Sequence, residues 1–172
     1  QRRRALDVLM ASVAAFDAAP EAPSAQDPLL SLLRTQRNLL ASARERLHRT
    51  LHDVADRLAP AIERRLARLS GADLRMVVDL ARGLAMPALV PALKALLDGP
   101  DRWTAVLSLQ AIAGVAAPQS IPILVEALGT EDLRWTAVAM LADRMSAETL
   151  PHVVRLLGDG NVEVRLERSE EH

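Results

Sequence analysis

The chain has 172 residues, half of them hydrophobic, with one Phe, two Trp and no Tyr; this excludes a disordered chain and leaves the core to aliphatic side chains. No Cys is present, which excludes disulfide and thiolate chemistry and makes the cytoplasm the natural compartment. A net charge of −1 hides an asymmetry: residues 28–70 carry nine Arg against four acidic residues, and residues 71–172 carry nine basic against fourteen acidic. Opposite halves of this kind suit different partners.

The start, QRRRALDVLMASVAAF, has the basic-then-apolar order of an export leader, but Asp7 interrupts the apolar part and export is not expected. No run approaches the ~20 apolar residues that cross a bilayer, so no membrane partner is expected. With no Met to open it, the chain is expected to be a piece of a longer protein. Leu6, Leu9, Met10, Val13 and Phe16 form one apolar stripe, which predicts a helix from about Arg3 to Ala18 that docks within the chain. AAPEAPSAQDP then reads as a connector, so residues 1–27 form an N-terminal helix and linker, and residues 28–172 a separate helical domain.

Asp27 and Pro28 make a helix start, N-cap then first position. The following ~30 residues, 28–59, lack Gly and internal Pro, predicting one long helix that opens the first unit, residues 28–70, and caps the rest. Leu47, Leu51, Val54 and Leu58, spaced 4, 3 and 4, form a seam that serves either a partner helix in the same chain or a short coiled coil, which keeps self-association open. Glu45, His48, His52 and Asp56 share one face of this helix, but the second motif of a di-metal bundle is absent and Arg49 replaces the Glu of a zinc-protease helix, so no metal site is expected.

Proline then acts as a ruler. Pro60, Pro91, Pro122 and Pro151 are spaced by 31, 31 and 29 residues, in the phrases LAPAIERRLARLSG, LVPALKALLDG, SIPILVEALG and TLPHVVRLLGD. Each phrase predicts a short helix with Pro in its first turn and Gly after its last Leu, with Ser120 as N-cap of the third. Between them lie DLRMVVDLARGLA from Asp73, DRWTAVLSLQAIA from Asp101 and DLRWTAVAMLADRM from Asp132, each opened by an Asp suited to a helix N-terminus. Gly160 opens what reads as a fourth, shortened copy. The resulting units are 71–99, 100–129 and 130–158, with 159–172 a truncated last one, each full unit a helix pair of solenoid size.

Leu93, Leu96, Leu97 and Asp98 followed by Arg102 and Ala105, and again Leu133, Arg134, Ala137 and Leu141, with Val164, Arg165 and Leu166 beginning another copy, resemble the HEAT-repeat family, and within it the short bacterial repeats related to phycobilisome lyases. The resemblance covers about residues 58–172 and implies an all-α, HEAT-like α-solenoid of antiparallel helix pairs. Such a stack offers a broad surface rather than a deep pocket. The expected function is therefore a non-enzymatic protein or peptide-binding scaffold without catalytic residues or cofactor.

Both tryptophans lie in a repeated pentapeptide, RWTAV, at Arg102–Val106 and Arg134–Val138. Two readings are open: the indoles pack between helices while the arginines brace turns, or Arg102, Trp103, Arg134 and Trp135 form an exposed ladder with the composition of an interface hot spot. Asp98 and Asp132, at adjoining turns, complete that candidate surface and favour a basic partner. The alternative partner is nucleic acid, held at its phosphates by Arg37, Arg44, Arg64 and Arg68 in the basic region.

Overall fold

A computed structural model of the chain describes residues 2–19, 23–36, 38–144 and 150–151. These fold into helices α1 (Arg2–Asp17), α2 (Pro28–Gln36), α3 (Ala41–His52), α4 (Ala55–Arg68), α5 (Gly71–Leu84), α6 (Val90–Ala95), α7 (Arg102–Ala113), α8 (Ala117–Ala127) and α9 (Glu131–Ala142), with no strand among the described residues. The chain is all-α. Two layers result: α2, α5, α7 and α9 lie side by side in one, and α4, α6 and α8 in the other.

The layers meet across aliphatic side chains. Leu58, Ile62, Leu93, Leu109, Ile112 and Leu124 are fully buried, and small residues at Ala105, Ala111 and Ala137 let neighbouring helices approach closely. Both predicted residue patterns therefore find their helices, a Pro-bearing one and an Asp-opened one alternating between the layers.

The predicted long helix is instead divided among α2, α3 and the start of α4, with residues 38–40 and 53–54 outside any helix. One straight helix of ~30 residues would run about 45 Å, far past the ends of partners 12–14 residues long. Breaking it lets each piece turn its own leucines inward: Leu29, Leu30 and Leu33 from α2, Leu51 from α3, Leu58 and Leu66 from α4. The proposed coiled-coil seam straddles the second break, and its Leu51, Val54 and Leu58 are buried within the chain. No continuous seam is left to bind a second copy.

The prolines also sit differently from the sequence expectation. Pro91 is the second residue of α6, behind a short 3₁₀ turn, Pro87–Leu89. Pro60 and Pro122 are each the sixth residue of their helix, one turn further in than expected. Each forfeits one backbone bond near the helix start, and each points its ring to solvent. Ser120 is accordingly no N-cap. It is buried inside α8, where its hydroxyl donates to the Val115 carbonyl at 3.2 Å and accepts from Arg144 Nη1 at 3.0 Å, tying the end of α9 to the α7–α8 turn. Gly160 and the expected fourth copy lie outside the described residues.

At the N-terminal end, α1 lies against α2 and α4 and buries Val13, with Leu6, Leu9 and Met10 packed beside it. A buried ion pair fastens this arrangement. Asp27 caps α2, its Oδ1 accepting from the backbone N–H of Leu29 at 2.9 Å and of Leu30 at 3.3 Å. Arg65 of α4 reaches the same carboxylate through Nε at 2.7 Å and Nη2 at 3.0 Å. Its Nη1 donates to Asp17 of α1 at 3.0 Å and to the Ala61 carbonyl at 2.8 Å, while the guanidinium lies over the Phe16 ring. Every oxygen and nitrogen named here has a partner, the condition under which buried charge is tolerated.

Candidate functional site

Trp103 and Trp135 are 65% and 66% exposed. Packing between helices is thus set aside, and helical geometry explains why. In α7 the buried set, Thr104, Ala105, Ser108, Leu109, Ala111, Ile112 and Ala113, faces the rest of the protein and the neighbouring helices, leaving Trp103 exposed on the other side with Val106, Leu107 and Gln110 half-buried along it. In α9 the buried residues are Leu133, Ala137 and Leu141, which leaves Trp135, Val138, Ala139 and Ala142 outward. Beyond the first turns this face carries no charge. Val138 is itself 41% exposed, so the open strip is two helices wide and bears an indole near the start of each.

Ion pairs connect the helices of this layer in sequence. Arg34 of α2 meets Asp73 of α5 at 2.9 Å, Arg75 of α5 meets Asp101 at the start of α7 at 2.9 Å, and Arg102 of α7 meets Asp132 of α9 at 3.2 Å. Being at least partly exposed, each contributes little stability alone. Their consequence is register: each holds one helix start against its neighbour. Asp101 is the most elaborate of these stations. It caps α7, with Oδ1 accepting the Trp103 N–H at 3.1 Å and Oδ2 accepting the Thr104 hydroxyl at 2.6 Å. The Thr104 bond above all, then Arg75 and the Trp103 and Thr104 N–H groups, hold its carboxyl below the ordinary range against some desolvation.

The expected site residues divide on inspection. Arg102, Trp103, Asp132 and Trp135 come together at the adjoining starts of α7 and α9. Arg134 points elsewhere: it is half-buried and its Nε donates to the Leu128 carbonyl at 3.1 Å, bracing the α8–α9 turn. Asp98 is exposed in the turn before α7, on a small open crevice shared with Lys94, Glu126, Thr130 and Leu133. The Arg65 cluster and the Arg–Asp series went unread in the sequence, although an Asp at each second-type helix start was the available signal.

The basic region is largely occupied by its own chain. Arg64 pairs with Asp17 and Arg57 with Asp7 of α1, Arg34 with Asp73, and Arg65 is buried. Arg44 and Arg68 are exposed, and Arg37 lies outside the described residues. On α3, Glu45 pairs with Arg49 and His48 lies against Gly83 of α5. Among the described residues no group of three or more His, Cys, Asp or Glu is placed to hold a metal, and no helix is long and apolar enough to cross a membrane.

The family model for HEAT repeats matches residues 86–171. No curated protein and no solved structure matches the chain.

Proposed function

The chain belongs to the HEAT-repeat family, and we propose that it is a non-catalytic scaffold module that binds a partner protein on the outward face of α7 and α9. One observation carries the reading: two large indoles, each about two-thirds in water, occupy equivalent RWTAV positions on adjacent helices whose starts the Arg102–Asp132 pair joins. Isolated exposed apolar residues need no explanation, but a contiguous apolar strip with two tryptophans has the composition of an interface centre. The binding residues are Trp103, Trp135 and Val138, with Arg102 and Asp132 holding the helix starts together. Arg134 and Asp98 serve as supports at the edge. Nucleic acid is the weaker reading, because Arg34, Arg57, Arg64 and Arg65 already spend their charge on carboxylates of the same chain.

A displayed library of random peptides, selected on the whole chain, tests this surface. Retained clones are expected to lose at least ~30-fold in affinity toward the Trp103→Ala/Trp135→Ala variant, whose circular dichroism stays that of the parent. Clones indifferent to both substitutions, or none retained, would overturn the proposal.

A further inference from the structure

We infer that the partner segment is an amphipathic α-helix bearing lysine or arginine, laid along the seam between α7 and α9. The inference rests on the partner-binding reading of this face and adds the conformation and charge of what it binds.

Conformation follows from hydrogen bonding. Of the outward side chains on the strip only Gln110 and the two indole N–H groups can hydrogen-bond, too few to pair the amides of an extended segment, and the backbone beneath is bonded within its own helices. An extended peptide pressed onto such a surface would bury amide groups without partners, whereas a helix brings its own bonds. Dimensions agree. Helices α7 and α9 are each 12 residues long, about 18 Å, and packed helices lie 8–10 Å apart, so a helix of about three turns fits the seam with i, i+3, i+4, i+7 anchors.

Charge follows from what remains unpaired. Residues 98–144 contain six acidic residues and three arginines, and all three arginines are engaged: Arg102 by Asp132, Arg134 by the Leu128 carbonyl, Arg144 by the Val115 carbonyl and Ser120. Glu131, one turn before Trp135 on the same side of α9, and Asp98, in the turn leading to α7, are exposed and make no ion pair among the described residues. The free carboxylate beside an indole is therefore that of Glu131, with Asp98 at the turn before α7 in the crevice it shares with Lys94. A cation arriving beside Trp135 meets the Glu131 carboxylate and an indole π-face together. An anionic lipid surface or a nucleic acid would meet the same carboxylates as repulsion.

The tryptophan-dependent clones of the peptide library supply the test. Their sequences are expected to be rich in Lys and Arg, poor in Pro, and apolar at helical spacing. For a synthetic peptide of about 16 residues made from the leading clone, a central Pro should weaken binding at least ~10-fold, and Asp98→Arg with Glu131→Arg in the chain should do the same while improving a Glu-substituted peptide. Tryptophan-dependent clones that are acidic, or Pro-rich and extended, would overturn this inference and leave the binding surface standing. So would affinity within about twofold after the double charge reversal. Clones that ignore the tryptophans would remove the surface itself.

Discussion

The sequence holds three aromatic side chains, one Phe and two Trp, and the two ends of the described structure treat them in opposite ways. At the N-terminal end, Phe16 is half-covered beneath a guanidinium that is itself only 4% exposed and bonded to two carboxylates. Across α7 and α9, both indoles stand in water and the arginines beside them are turned to neighbouring helices and turns. The first region is closed: its polar groups satisfy one another and its apolar stripe is docked. The second leaves the Ser108 hydroxyl of α7 buried without a hydrogen-bond partner among the described residues and its largest apolar side chains standing in water. The difference separates residues that build the stack from residues that the stack presents.

Breaking the closed region should have the largest effect. Arg65→Ala strands Asp27 and, in part, Asp17 as buried charges, and loss of one partner of such a pair costs about 3–5 kcal/mol. Urea denaturation should show that loss together with release of α1, seen as faster amide exchange at Val13 and its neighbours. A fall under about 1 kcal/mol would mean that the cluster is no lock.

A smaller effect, of opposite sign, lies where the two regions meet. α5 ends at Ala85 with φ 48° and ψ 50°, a left-handed conformation that a Cβ disfavours. Ala85→Gly should therefore raise stability by about 1 kcal/mol, read as an increased denaturation midpoint with unchanged slope. No gain would place the strain of this turn elsewhere.

Legibility in the sequence divides along the same line. The 31-residue proline spacing and the Asp-opened helices were readable, because periodic patterns report on local geometry and on which side faces the core. The break of the predicted long helix was not, since Leu33 to Leu47 contains no Gly or Pro and only the lengths of partner helices forbid a straight run. Arg65 and Asp27 lie 38 residues apart, and nothing local announces their bond. The RWTAV repeat located the candidate surface without deciding its exposure. That depends on which neighbours arrive: Thr104 and Ala105 turn inward, and the indole follows from them by helical geometry.

The smallest effect concerns pH at the start of α7. Asp101 has its carboxyl pKa lowered in the folded chain, so folding favours its charged form. Its contribution is complete above the unfolded value of about 4 and disappears as pH falls through the lower folded value. Asp101→Asn should flatten that last, acid part of the stability profile and leave neutral pH behaviour nearly parallel to the parent; identical acid profiles would deny the linkage.

The division between closed and presented regions turns on where the two indoles are, and tryptophan emission reports that directly. Iodide and acrylamide quenching of the native chain, repeated in Trp103→Phe and Trp135→Phe, should give red-shifted, readily quenched emission from each indole, with unfolding curves within about 0.5 kcal/mol of the parent, as befits exposed positions. Blue-shifted emission protected from iodide in either variant would contradict it, returning that tryptophan to the core and removing it from the partner surface.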